Sequence, residues 1–282
     1  MIFRISTPTF GLGLVEQIPD SAIVANMDNN RPSKNALGIR GRANFAVAGR
    51  TISGQMNNNG NDGTIARFGW KAQNKSLLLF AGEAYNVEMG ISNELFPTER
   101  DETPNCLHAS HPNSITDTEA TTTVGILSSI EKFAFFMRLL APPAPSTDTP
   151  GGTQSIGKGK RTFDSVGCTL CHNPSFTTGD SKITALQNQP VNLYSDLLVH
   201  DMGDGLADGI NQGQAGPREC RTAPLWGIGQ RIFFLHDGRT SSLVAAIRAH
   251  QSSGSEANGV VDAFLALSEG DRQDLLNFLR SL

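Results

Sequence analysis

The five residues Cys168-Thr-Leu-Cys171-His172 constrain this chain more than any other feature of it. C-x-x-C-H is the attachment sequence of a c-type haem: the two thiols add to the porphyrin vinyl groups, and the next histidine is carried under the ring as the proximal iron ligand. C-x-x-C also serves redox dithiols and zinc sites. A thioredoxin-type dithiol opens a helix straight after a strand, whereas residues 158–167 read as one short helical run ended by glycine. A structural zinc needs a second ligand pair, and the other cysteines, Cys106 and Cys220, stand far apart and alone. The motif therefore predicts one covalent haem c, with the reactive atom belonging to a cofactor.

A length of 282 residues allows one or two domains with real cores. The balance of 27 acidic against 23 basic side chains is mildly acidic and argues against a nucleic-acid partner. No stretch approaches the roughly 20 apolar residues of a membrane span. Thioether attachment needs an oxidising space outside the cytoplasm, which predicts a periplasmic or extracellular protein. Residues 1–20 carry no basic n-region, apolar h-region or small-residue cleavage site. This predicts that a segment preceding residue 1, or a separate chain, completes the protein.

Residues 1–115 are rich in Gly, Asn and Thr and offer few helix starts; the polar run at 55–63 reads as an exposed loop. From about Thr123 a helical pattern sets in, with Ile126, Ile130, Phe133 and Met137 three or four apart, and it stops at Pro142-Pro143. Residues 142–152, PPAPSTDTPGG, are the natural linker. Near the end, Ser268-Glu-Gly-Asp271 opens a helix whose Leu275, Leu276, Leu279 and Leu282 form one apolar stripe. The pattern predicts a mainly α protein in two parts: residues 1–141, loop-rich and without a haem motif, and a cytochrome c-like haem domain over 153–282.

The second axial ligand separates electron transfer from chemistry at iron. His200, Met202, His236 and His250 are the C-terminal candidates. Residues 241–250 read as a helix begun by serine, with Leu243, Ile247 and His250 on one face. That sets an imidazole on a core-facing stripe. Met202 sits in a glycine- and aspartate-rich loop of the kind that presents a ligand or simply turns the chain. A thioether would raise the reduction potential relative to bis-histidine ligation. Spacing leaves His250 and Met202 both open.

The run from Arg221 to Leu243, RTAPLWGIGQRIFFLHDGRTSSL, resembles the C-terminal signature of the bacterial di-haem cytochrome c peroxidases and their MauG-like relatives. It is most similar to the di-haem oxidoreductases sometimes labelled thiol oxidoreductase-like. Thr7-Pro-Thr-Phe-Gly-Leu-Gly-Leu14, Arg67-Phe-Gly-Trp-Lys-Ala72 and Ala84-Tyr-Asn-Val-Glu-Met-Gly-Ile-Ser92 fit the same pattern, so the resemblance covers nearly the whole chain.

The resemblance implies that the distal ligand lies on the helix after His236-Asp237-Gly238, at His250. Peroxidases typically carry methionine there and MauG a tyrosine; histidine implies a six-coordinate, low-potential haem without an open position. Trp70 falls near the tryptophan that the peroxidases hold between their haems, and Glu88 matches the glutamate that moves a proton between the peroxide oxygens. Ordinary packing for Trp70 and a surface carboxylate for Glu88 are the plain alternatives. His236 and Asp237 would fix the loop beneath the haem or bind its propionates.

The family bears two C-x-x-C-H motifs, and this chain has one; Asn105-Cys106-Leu-His108 cannot replace the other. A second haem would then come from another segment or a companion chain, unless the lineage has lost it, and a redox partner protein is implied. Relatives also bind calcium between domains; Asp201, Asp204 and Asp208 are the acidic residues at hand, though their spacing favours turns. Cys106 and Cys220 are either a disulfide or two free thiols, and His108 and His111 belong to a polar loop.

Overall fold

The computed structural model describes residues 3–45, 65–93, 95–96, 113 and 128–282. Among these, helices dominate and extended pairing is confined to short antiparallel ladders. Three short helices, α1 (Leu12–Glu16), α2 (Asp20–Asp28) and α3 (Arg31–Ala36), precede a two-residue pair, β1 (Asn44–Phe45) with β2 (Ile65–Ala66). Then come α4 (Leu77–Met89) and α5 (Ser129–Leu139). The region expected to be poor in helices therefore holds four of them among the described residues. Three have nine residues or fewer, too short to show a 3.6-residue period, and α4 begins as an unbroken apolar run whose start is marked only by Ser76, which accepts from the Leu79 N–H at 3.2 Å.

The helix anticipated from about residue 123 is α5, and its described start is a full capping box. Ser128 Oγ accepts from the Glu131 N–H, and the Glu131 carboxylate accepts from the Ser128 N–H at 2.6 Å. Ile130 and Met137 face inward as the spacing predicts. Phe133 does not: it is half exposed, edge-on to Tyr85, and Ala134 takes the inner place. Residues 55–63 and Ile126 lie outside the described residues.

After the linker, α6 (Gly152–Ser165) leads into a 3-10 turn at Cys168–Leu170. Two ladders follow, β3 (Phe176–Thr177) with β4 (Pro190–Val191) and β5 (Val199–Asp201) with β6 (Glu219–Arg221), the latter registering Val199 against Arg221. Three helices finish the chain: α7 (Leu243–Ala249), α8 (Asn258–Leu265) and α9 (Glu269–Ser281). Leu275, Leu276 and Leu279 of α9 are buried as the stripe requires.

The core has two main clusters. One gathers Phe163, Val166, Tyr194, Phe264, Leu275, Phe278 and Leu279 around the crossing of α6 and α9. The other gathers Val15, Ile18, Phe68, Leu77 and Ile130 of the first half with Val191, Leu193, Leu197, Leu198 and Trp226 from beyond the linker. Backbone pairing crosses in the same place, Arg42 and Val199 exchanging N–H···O bonds of 3.0 and 2.9 Å. The linker marks a change in the chain's composition, and the packing runs across it.

At the α6–α9 crossing the helices touch through Gly159. A methyl group there would sit 1.9 Å from the Asp274 carbonyl oxygen. Gly159→Ala is expected to cost about 1–3 kcal/mol in urea unfolding, because backbone must move to admit it. Gly157→Ala, whose methyl would meet only the Arg161 side chain at 3.9 Å, should instead be neutral or add up to about 1 kcal/mol of helix propensity. Equal effects at both positions would contradict this packing.

Candidate haem site

Between α6, α7, α8 and the 220–236 segment lies a cavity of about 220 Å3. A water molecule needs only about 10–15 Å3 on this scale, so the space is far larger than a packing defect. Its wall is largely aliphatic and aromatic, including Phe163, Leu225, Phe234, Ile247 and Phe264. Such a lining fits a large, flat, apolar group.

The C-x-x-C-H residues enter from one segment. Gly167, with φ 95°, turns the chain out of α6, and the 3-10 turn brings the His172 N–H onto the Cys168 carbonyl at 2.8 Å. Cys168, Cys171 and His172 all line the cavity. His172 Nδ1–H donates to the Tyr194 carbonyl at 2.9 Å. Tyr194 has φ 52°, a left-handed conformation that a bulky residue adopts at a cost and that is held here by packing. Its ring packs edge-on against Phe163 and Phe278, and Phe163 also lies 6.1 Å from the His172 ring.

His250 follows the last turn of α7, which starts where Ser242 Oγ accepts from the Ala245 N–H at 3.3 Å. Its Nδ1–H donates to the Ala246 carbonyl at 2.7 Å. Each imidazole thus has its proton fixed on Nδ1, and Nε2 makes no hydrogen bond among the described residues. An oriented Nε2 lone pair with Nδ1 tied to a carbonyl is the arrangement of a metal-ligating histidine. Burial pushes His172 down to about 4, against the opposing pull of the Tyr194 carbonyl, and burial lowers His250 as well, so both rings are neutral. Burial, then the adjacent Cys171, pushes the Cys168 thiol up to about 12. Two thiols and two neutral imidazoles on one apolar cavity are a donor set that fits haem c.

The other candidates separate cleanly. Met202 lines the cavity and its carbonyl accepts from Ser252 Oγ at 3.1 Å. His200 lines it too, but both ring nitrogens are taken: Nε2–H donates to Asp196 at 2.9 Å and Nδ1–H to Glu256 at 2.8 Å. Burial alone would lower this group; the Cys171 sulfur 3.7 Å away and the Asp196 carboxylate raise it well above its ordinary value, so it is an imidazolium and no iron ligand. Gly41 makes room for it, since a Cβ there would lie 2.1 Å from the ring. The donor atoms of Cys171, Asp196 and His200 lie within 4.8 Å of one another, yet haem attachment consumes the sulfur and the carboxylates hold the ring. Nothing in the sequence joins Asp196 and His200, around the start of β5, to Glu256, which lies 56 residues beyond His200.

His236 is buried in the cavity wall, its ring edge-on to Trp70 at 6.4 Å, and burial lowers its basicity. Asp237 pairs with Arg239 at 2.6 Å. Trp70 lines the cavity and its indole N–H donates to the Ile5 carbonyl at 2.7 Å. Glu88 is exposed on the last turn of α4 and does not line it. The structure therefore brings Trp70 to the haem motif and leaves Glu88 apart.

The carboxylates named for calcium lie beside basic side chains. Asp201 and Asp204 face Arg218 at 3.0 and 3.4 Å, while Asp208 is held by Lys71 at 2.9 Å and by Arg4. All three aspartates are thus paired with basic side chains. Cys220 is a free thiol on the cavity wall. Cys106, His108 and His111 lie outside the described residues, and among those described no helix is long and apolar enough to cross a membrane.

An apolar cavity joined to C-x-x-C-H and paired neutral imidazoles defines a haem protein. The whole chain, residues 1–282, matches the family described as "Di-haem oxidoreductase, putative peroxidase", and it belongs to that family. No curated protein matches it. Among solved structures, a chain from the hydrazine synthase of Kuenenia stuttgartiensis, pressurised with 20 bar of xenon, is similar at 18% identity and a TM-score of 0.35. The match covers 55% of this chain and 56% of that one, so it spans little more than half of that relative's length.

The His200 cluster carries a signed pH dependence. Its raised value means that the stabilisation is fully present below the ordinary histidine value of 6.5 and is lost as pH rises through the folded value above it. Wild-type unfolding free energy should therefore fall toward alkaline pH more steeply than that of His200→Gln. Asp196→Asn should cost about 3 kcal/mol at neutral pH, since it strips a buried imidazolium of one partner. Urea titrations at several pH values check both; parallel slopes for wild type and His200→Gln would refute the first.

Proposed function

We propose that this chain is an extracytoplasmic c-type cytochrome that relays electrons through one covalent haem, which Cys168 and Cys171 would attach and whose iron His172 and His250 would hold. The supporting observation is the pair of cavity-facing imidazoles whose Nδ1 protons are both committed to carbonyl oxygens. Bound there, the haem supplies one-electron chemistry at iron. The chain's own residues do the rest. Tyr194 and Ala246 orient the two rings, the apolar wall excludes water, and His172 and His250 remain neutral so that their lone pairs are available. Met202 has a sulfur at the same cavity but no partner that aims it, and it is the weaker ligand candidate.

His250→Ala should convert the haem from low-spin to high-spin in absorption and paramagnetic resonance spectra, with covalent haem retained. Met202→Ala should leave the spectrum low-spin. The reverse pattern would transfer the distal position to Met202. A haem content of zero by pyridine haemochrome assay of protein made in an oxidising compartment would overturn the reading as a whole.

A second reading has its own observation. The family is di-haem, one C-x-x-C-H is present, and Trp70 sits in the wall of the cavity. In this reading the complete assembly is a peroxidase-like oxidoreductase: another segment or a companion chain brings the second haem to the side of Glu88, and electrons arrive through this one from a redox partner protein. Glu88 lies among exposed apolar groups, Val87 and Met89 on its own helix. In the di-haem assembly Glu88→Gln should lower peroxide turnover by about 100-fold or more with unchanged haem content, the usual loss for a general acid-base. One low-spin haem per assembly and no spectral response to peroxide would refute this second reading and leave the first intact.

A further inference from the structure

Two of the buried cations among the described residues meet an anion, while Lys34, away from the cavity, donates to the Asn26 carbonyl at 2.7 Å. Arg67 meets Asp20, and Lys71 meets Asp208. Arg221 does not. It is 7% exposed, its Nε donates to the Gly69 carbonyl at 2.8 Å and one Nη to the Thr222 carbonyl at 3.2 Å, and no carboxylate lies within ion-pair distance among the described residues. Two neutral carbonyls orient a guanidinium without balancing its charge. Burial accordingly pulls it down to about 10, with Asp196 as the opposing influence.

The position of this side chain says where the missing charge belongs. Arg221 lines the large cavity and also the small pocket beside Trp70, and its backbone N–H is fixed to the Trp70 carbonyl at 2.8 Å. Its second Nη makes no hydrogen bond among the described residues. A planar guanidinium is a fork that matches a carboxylate through two parallel N–H···O bonds. A cavity that is apolar over most of its wall but presents a buried guanidinium suits an apolar ligand with an acidic edge. The half-buried Arg231 adds a second positive group to the same lining, also without a carboxylate partner among the described residues.

We propose that Arg221 is the anchor of a haem propionate: its guanidinium donates to the carboxylate and holds it ionised inside the protein. This rests on the haem reading above. Its consequence is electrostatic. A fixed positive charge at the edge of the porphyrin disfavours the ferric state, which carries one more positive charge than the ferrous, and so raises the midpoint potential. It also keeps the propionate deprotonated across the physiological range, so the potential stays flat with pH.

Redox titration of the haem-loaded full chain, wild type against Arg221→Gln and Arg221→Lys, tests this together with resonance Raman spectra of the wild type and of Arg221→Lys in H2O and D2O. Arg221→Gln should have a lower midpoint that climbs as pH falls below about 7, because the released propionate then takes up a proton. Arg221→Lys, which keeps the charge and loses the fork, should stay near the wild-type midpoint. In the wild type, deuteration of the guanidinium should move the propionate-bending band. An unmoved band, or an Arg221→Gln midpoint and pH profile equal to wild type, overturns the inference. Should the glutamine variant fail to fold, the isotope shift of the wild type against that of Arg221→Lys decides, and an identical shift in both refutes the role of Arg221. Covalent haem present with either negative result refutes the role of Arg221 only; absence of covalent haem refutes the haem reading itself.

Discussion

Everything at the haem site depends on how closely α6 can approach α9. The chain reaches Cys168 directly from α6, so the position of that helix sets the position of the attachment residues. Gly159 lets the backbones meet, and the contact brings Phe163 against Phe278 with ring centres 5.4 Å apart. Phe163 in turn packs against His172 and Tyr194, the ring and the residue whose carbonyl orients it. A cluster of aromatic rings thus transmits a backbone contact to the orientation of an imidazole. Each such pair contributes on the order of 0.5–1.5 kcal/mol beyond its buried area, enough in combination to hold Tyr194 in a left-handed backbone conformation that an isolated chain avoids.

The same cavity sorts its histidines by their partners. His172 and His250 face carbonyl oxygens, which accept one proton and offer no charge, so burial wins and both rings stay neutral. His200 stands beside the Cys171 sulfur and the Asp196 carboxylate, so the charged form wins although it is equally enclosed. Three imidazoles in one environment therefore take two different protonation states. The choice is made by residues 171, 194, 196 and 246, of which only Cys171 also serves haem attachment.

Much of the haem side was legible in the sequence because its chemistry is local. C-x-x-C-H names its cofactor in five residues, Ser242 and Ser268 mark where α7 and α9 begin, and the Leu243, Ile247, His250 spacing sets the histidine toward the interior. What escaped depends on pairs distant along the chain. No pattern links His200 to Glu256, or Arg221 to a deficit of acidic partners, since a deficit is visible only once the fold has assigned every neighbour. Left-handed Tyr194 and Leu197 are likewise silent, because tyrosine and leucine do not advertise positive φ as glycine does. In the first half, helices of five to nine residues give too few turns for a period to emerge, and Glu88 matched a motif while its surroundings remained unread.

The site also draws on chain from before the linker. Ile5 accepts from the Trp70 indole and donates to the His236 carbonyl at 2.9 Å, joining three distant segments at the cavity wall. One residue further, the fully buried Lys71 ammonium donates to the carbonyls of Gly216 and Glu219 at 2.9 and 2.7 Å and pairs with Asp208. It fastens the loop that leads into β6, and β6 carries Cys220 and Arg221. Removing the first half would leave Asp208 without its lysine, the Gly216 and Glu219 carbonyls without their donor, and Leu193, Leu197, Leu198 and Trp226 without the core they complete. Buried polar groups that lose their partners cost more than the bonds they made. The haem motif is thus local in sequence, while the pocket around it is a property of both halves.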